Sequence, residues 1–156
     1  MTADAERRST ARPAKETRHQ ARQAALQMLY QWEVGRLSMF EVRQTFWTHS
    51  AEHGDVPLSE ELRAFATQLA DGVAEAIGET DPLIAEAAQH WRVERMNVMD
   101  RLILRLAIYE FLHQPETPGK VIINEALELA RTFSGDEAVR FINGILDAIR
   151  KKLERE

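Results

Sequence analysis

The chain has 156 residues, of which 44% are hydrophobic, and it carries a net charge of −5. This length and composition favour one compact domain with a sizeable core, and the acidic balance argues against a protein that coats nucleic acid indiscriminately. The sequence contains no cysteine, which excludes disulfides and thiolate metal sites, and no apolar run approaches the length of a membrane span. The start of the chain lacks the apolar block of a signal peptide, so a soluble cytoplasmic protein is expected.

Charge is distributed unevenly along the chain. Residues 1–22 contain six cationic and three acidic side chains, a net of +3, whereas the remainder has a net of −8. A basic end on an acidic body predicts an anionic partner at one end and a basic partner elsewhere, although a solubilising tail is the preferred interpretation of the first twelve residues alone. Residues 1–15 mix Thr, Ala, Arg, Pro and Ser without a period, which predicts a disordered basic arm before a single helical domain at residues 16–156.

Capping residues predict where the first four helices begin and end. A Thr or Ser followed three residues later by Glu or Gln forms a reciprocal capping box, and proline suits the first helical position. The predicted starts are Thr17, Ser38, Ser59 and Asp81, the last followed by Pro82. Glycines at positions 35 and 78 predict the ends of the first and third helices.

Three further helices follow. Asn97 opens the fifth, which is apolar on nearly every side from Leu102 to Leu112 and is therefore expected to be the central helix. Ser134-Gly135 separates the sixth from the seventh. Because no segment alternates with period two, the sequence predicts an all-α protein of about seven helices.

One motif matches an enzyme pattern. His49, Glu52 and His53 fit H-x-x-E-H, in which two histidines bind zinc and the glutamate acts as a base. Glycine follows at once, so the helix is expected to fray where a zinc site needs rigidity. Two solvated histidines at a helix end are therefore the preferred interpretation, with a small zinc hydrolase as an alternative.

Two helical rows outside the core stripes carry aromatic rings. On the first helix the row is His19, Gln23, Leu26 and Tyr30, flanked by Arg18 and Arg22. Aromatic rings stack unpaired bases and arginine meets phosphate, so this row is typical of single-stranded RNA binding, although another helix covering Leu26 and Tyr30 is an equal alternative. On the seventh helix the row is Glu137, Phe141, Gly144 and Ala148. Small residues beside Phe141 predict a close approach, by a neighbouring helix in the first place or by a nucleotide.

Four segments, in the same order along the chain, resemble the NusB family of bacterial transcription antitermination factors. The segments are Arg18-x-x-x-Arg22-x-x-x-Leu26-x-x-Leu29-Tyr30, Asp100-Arg101-x-x-Leu104-Arg105-x-Ala107-x-Tyr109-Glu110, VIINEALELARTF and RFINGILD. The resemblance covers roughly residues 17–150. It implies an all-helical fold in two packed bundles and a non-catalytic RNA-binding role without a cofactor or a metal.

The resemblance also implies partners. Proteins of this family bind the boxA element of ribosomal RNA leader transcripts together with a small-subunit ribosomal protein, NusE, and act on elongating RNA polymerase. By position, the residues expected to contact RNA are Arg18, Arg22, Tyr30, Lys120, Glu137 and Phe141, and Asp100 is expected to face the ribosomal protein. His19 and Gln20 stand where family members can be basic, so RNA binding by the isolated protein is expected to be weak and salt-sensitive.

Two other functions stay open from the sequence. NusB-like modules also occur at the N-terminus of ribosomal RNA methyltransferases. The 156 residues leave no room for a cofactor-binding domain after such a module, so a free-standing module is expected. The other alternative is a purely structural or self-associating helical protein, since some relatives form homodimers that hide the RNA surface.

Overall fold

The computed structural model describes residues 14–52, 58–89 and 91–156. Within these ranges the chain forms seven α-helices and one 3₁₀ turn, and no strand occurs there, which confirms the all-α prediction. The helices are α1 Ala14–Gly35, α2 Met39–Glu52, α3 Glu60–Glu75, α4 Ile77–Ala87, α5 Val98–His113, α6 Gly119–Phe133 and α7 Asp136–Lys152, with the 3₁₀ turn at Val93–Arg95. None of the helices in the described ranges has an apolar stretch long enough to cross a bilayer. Most of the predicted arm, residues 1–13, lies outside the described residues.

Side-chain caps set the starts of three helices as predicted. The Ser38 hydroxyl accepts from the Glu41 N–H at 3.1 Å, and the Glu41 carboxylate accepts from the Ser38 N–H at 2.9 Å. At the start of α3 the Ser59 hydroxyl accepts from the Leu62 N–H, and at the start of α5 the Asn97 side-chain oxygen accepts from the Met99 N–H. These bonds satisfy backbone N–H groups that have no partner inside the helix.

Three predicted helix boundaries are wrong. α1 begins at Ala14, so Thr17 lies inside the helix and not at its start. α3 ends at Glu75, and α4 runs from Ile77 with Pro82 in its interior. Asp81 is not a cap, because both of its carboxylate oxygens accept from Arg105 of α5 at 2.8 Å.

Helix α5 is the centre of the fold, as its apolar sequence predicts. All residues from Arg101 to Phe111 are buried, and α5 contacts α1, α3, α4, α6 and α7. One bundle packs α1 with α2 and α3, and the other packs α4, α6 and α7, so that α5 belongs to both. The predicted two-bundle architecture is therefore confirmed.

Charged side chains on α5 are buried in ion pairs. Arg101 donates to Glu33 of α1 at 2.8 Å, and Arg105 holds Asp81 of α4. Two acidic residues, Glu110 of α5 and Glu125 of α6, are also buried. Buried charges require partners, and here the partners lie on different helices, so the pairs fix how the helices sit on α5.

A glycine permits the close packing of α3 against α5. A Cβ added at Gly72 would lie 2.2 Å from the hydroxyl oxygen of Tyr109, well inside van der Waals contact. Only a residue without a side chain therefore allows the buried Tyr109 ring to lie against α3.

Candidate nucleic-acid interface

The Tyr30 ring lies at the surface of α1. Tyr30 is 42% exposed, whereas Leu26, one turn earlier in the same predicted row, is completely buried. The row is therefore not a continuous surface. Its C-terminal end presents an aromatic ring to solvent, and its middle belongs to the core.

Arg18 lies at the surface near the start of α1. Its guanidinium carbon is 5.2 Å from the centre of the Phe65 ring of α3. A guanidinium over an aromatic face is attracted by the ring quadrupole, and Arg18 remains exposed to solvent. Arg18 thus presents a cation about 18 Å along the helix axis from Tyr30.

Arg22 has the opposite environment from the one that the sequence suggested. Its side chain is buried and donates to Glu110 of α5 through Nε at 3.0 Å and Nη2 at 2.8 Å. Burial lowers the pKa of Arg22, but the hydrogen bonds and the charge of Glu110 outweigh this, so the pKa is raised above its ordinary value. A guanidinium clasped in this way is not available to phosphate. We therefore assign Arg22 a structural role and remove it from the candidate interface.

His19 and Gln23 also join an interior network. The His19 Nδ1 atom lies 2.6 Å from the carboxylate of Glu125 of α6, and the amide nitrogen of Gln23 lies 3.3 Å from His19 Nε2. These contacts tie the start of α1 to α6. They explain why residues at positions that resemble an RNA-facing row are only partly exposed.

Lys120 lies exposed in the first turn of α6. It precedes Glu125 by five residues, about 7.5 Å along the axis of α6. Glu125 of the same helix contacts His19 of α1, one residue after Arg18. The helices that carry Arg18 and Lys120 are therefore joined by a side-chain contact.

Glu137 and Phe141 occupy the first two turns of α7. Glu137 is exposed, and Phe141 is half-buried with its ring centre 6.0 Å from that of Trp91, in an edge-to-face arrangement. Trp91 is 60% exposed and was missed by the sequence analysis. A tryptophan within the polar stretch QHWRVER was the available signal, since a large aromatic residue there has no helical stripe to join.

Gly144 faces open space. Among the described residues, no atom outside its own helix backbone lies within 4 Å of a Cβ added at Gly144. The expectation that a neighbouring helix of this chain approaches it is therefore wrong. Ala148 in the same row is also exposed, so the predicted α7 row does lie at the surface.

Asp100 lies in the first turn of α5 and is partly exposed. Its Oδ1 atom is buried and has no hydrogen-bond partner among the described residues. A carboxylate is stabilised at a helix N-terminus by the helix dipole, so the charge is tolerated there while one oxygen remains without a donor.

The zinc motif cannot be placed on the structure. The side chains of His49 and Glu52 and the whole of His53 lie outside the described residues. In the parts of the chain that the structure does describe, no three His, Asp or Glu side chains are grouped as metal ligands.

Sequence comparison identifies the family of the chain. Residues 19–151 match the model of the NusB family. The transcription antitermination protein NusB of Koribacter versatilis is 48% identical over 140 residues, which cover 90% of this chain and 92% of that protein. The corresponding protein of Sorangium cellulosum is 41% identical over 138 residues, covering 88% of this chain and 94% of its own.

Structural comparison agrees with the sequence match. NusB of T. maritima has a TM-score of 0.76 at 29% identity, over 86% of this chain and 91% of that one. A chain from a complex of the antitermination factors NusB and NusE with double-stranded RNA has a TM-score of 0.74 at 24% identity, over 88% and 98%, a likeness that concerns the fold. The family pattern spans most of the chain and the helices adopt the same fold, so this protein belongs to the NusB family of transcription antitermination proteins.

Proposed function

We propose that this protein is a non-catalytic RNA-binding antitermination factor. It binds the boxA element of ribosomal RNA leader transcripts together with the ribosomal protein NusE and acts on elongating RNA polymerase in the cytoplasm. The role requires two surfaces, one for an unpaired RNA strand and one for a basic protein.

The exposure of the Tyr30 ring carries the proposal. A half-exposed aromatic ring on a helix surface offers a face on which a base can stack, and stacking does not require the base to be paired. Arg18 on the same helix supplies a charge for the phosphate backbone. Phe141 and Lys120 provide the same combination of ring and cation on α7 and α6.

The negative charge of the helical domain is consistent with a basic protein partner. Apart from residues 1–22, the chain has a net charge of −8, which complements a basic ribosomal protein. Asp100 offers a specific point of contact, because its side chain is partly exposed in the first turn of α5. A lysine or arginine of the partner would pair with the exposed part of this carboxylate.

RNA binding at fixed salt tests the proposal directly. A boxA-like single strand is expected to bind more tightly than a scrambled strand, and NusE is expected to strengthen the binding. Replacing Tyr30 or Phe141 by alanine should weaken binding by about 1–3 kcal/mol if a base stacks on the ring. The affinity is measured by fluorescence anisotropy with labelled RNA, with and without NusE.

Two variants serve as controls. Tyr30→Phe keeps the ring and is expected to retain the affinity, and Phe40→Ala removes an aromatic ring that is 62% exposed outside the proposed interface. Unchanged affinity in folded Tyr30→Ala and Phe141→Ala variants, or equal binding of the scrambled strand, would refute the proposed interface.

A further inference from the structure

The end of the described chain folds back onto the loop between α5 and α6. After α7 ends at Lys152, Glu154 adopts a positive φ of 55°, a conformation that residues other than glycine rarely adopt. The reversal is held by the Arg155 N–H, which donates to the carbonyl of Arg150 at 3.0 Å. It directs Arg155 and Glu156 toward the segment that precedes α6. We call these two residues the C-terminal clasp.

Arg155 donates to three carbonyl groups of that segment. Its Nε atom donates to Phe111 at 2.9 Å, and Nη2 donates to Gln114 at 2.8 Å and to Thr117 at 2.9 Å. Carbonyls in the last turn of a helix and in the loop after it have no helical partner, so a planar cation with several donors suits them. Lysine carries the same charge but lacks the fixed fork of donors that reaches three carbonyls at once.

The clasp also contacts the first residue of α6. The Gly119 N–H donates to the backbone oxygen of Glu156 at 2.8 Å, and a Cβ at Gly119 would lie 2.7 Å from the backbone oxygen of Arg155. Pro118 makes no side-chain cap at this helix start. The clasp therefore supplies the N-terminal acceptor that α6 lacks, and only glycine leaves room for it.

Lys120, the residue after Gly119, is the proposed phosphate contact at this end of the interface. We propose that the C-terminal clasp is a positioning element for RNA binding. By fixing the first turn of α6, it holds the Lys120 side chain in position to contact an RNA phosphate. The inference rests on the proposed function. It assigns Arg155 an effect on RNA affinity that is exerted through Lys120 and not through contact with RNA.

A double-mutant cycle between Arg155 and Lys120 tests this inference with the full chain and a boxA-like single strand. Lys120→Gln should lower the affinity about fivefold near 0.1 M salt, because one phosphate contact on a single strand contributes a slope of about 0.7 in log affinity against log salt. Arg155→Gln should cause a loss of similar size in the wild-type background. In the Lys120→Gln background, Arg155→Gln should change the affinity by less than about twofold.

Two variants separate positioning from charge and folding. Lys151→Gln removes one cation at the same end of α7, where its side chain pairs with Asp147 outside the clasp, and is expected to leave the affinity within about twofold. Arg155→Lys keeps the charge but loses the fork, and is expected to lower the affinity and the salt slope as Arg155→Gln does. Circular dichroism and thermal melting confirm that each variant is folded.

The outcomes distinguish the inference from the proposed function. An equal loss from Arg155→Gln in both backgrounds would overturn the positioning role, because the two residues would then act independently. Normal affinity of Lys120→Gln alongside weakened Tyr30→Ala would also overturn it and would leave the RNA interface standing. Normal affinity of all these variants would refute the proposed function itself.

Discussion

The interior of the α1–α5 contact and the outer face of α7 differ in a way that reverses simple expectations. Arg22 lies on a helix whose sequence pattern is typical of RNA binding, but its side chain is buried against Glu110. Gly144, in a position that suggests close helix packing, faces open space. Residue type alone therefore misleads in both regions. The environment of each face depends on which neighbouring helix covers it: α5 covers the inner face of α1, whereas Gly144 and Ala148 on α7 are exposed in the described structure.

The largest effect on stability is expected when the buried ion pair between Arg22 and Glu110 is removed. Glu110→Ala leaves the Arg22 guanidinium buried without a partner, and we expect the free energy of unfolding to fall by about 3–5 kcal/mol. The double variant Arg22→Met/Glu110→Leu should recover most of that loss, because apolar residues of similar volume replace both charges. Urea unfolding followed by circular dichroism measures both.

The same double variant sharpens the assignment of Arg22. If Arg22 serves only the fold, the folded double variant should bind RNA as the wild type does, whereas Arg18→Gln should weaken binding and lower its salt dependence. A double variant that is folded but has lost RNA binding would return Arg22 to the interface.

A smaller loss of stability is expected at the contact between Gly72 of α3 and Tyr109 of α5. Gly72→Ala places a methyl group where the Tyr109 ring lies, and overpacking of this kind destabilises by about 1–3 kcal/mol. Tyr109→Leu removes the ring, so the combined variant should lose less than the sum of the single losses. Additive losses in thermal unfolding would show that the contact between Gly72 and Tyr109 is not the cause.

The smallest effect on stability is expected at Gly144, on the outer face of α7. Gly144→Ala should stabilise the free protein by up to about 1 kcal/mol, since alanine favours the helix and meets no described atom outside it. If RNA lies against α7, the same variant should weaken RNA binding. Gly78→Ala is the matched control, because Gly78 also faces open space in a helix but lies on α4. Equal effects of the two variants on RNA binding would exclude a contact at Gly144.

Local patterns were sufficient for most of the fold. The caps at Ser38, Ser59 and Asn97 depend on hydrogen bonds within three residues, so they can be recognised in the sequence. The all-apolar run of α5 likewise indicates a surrounded helix wherever its neighbours come from. The start of α4 was misplaced because Asp81 looks like a cap locally, whereas its carboxylate is held by Arg105, 24 residues away.

The candidate interface was predictable only in part. Tyr30, Phe141 and Lys120 lie at or near the surface as expected, and their contact with RNA stays a prediction. The pairing of Trp91 with Phe141 and the C-terminal clasp could not be found, because the edge contact between the two rings and the bonds of Arg155 join residues far apart in the chain.

The sequence by itself determined the helices, their order, the central place of α5 and membership of the NusB family. Periodicity and capping are short-range properties, and they report which side chains share a face. Only the tertiary structure decided which faces are covered, since a helix buries whatever its neighbours lie against. That is why Arg18 and Arg22, one turn apart on α1, have different environments, the first at the surface and the second in the core.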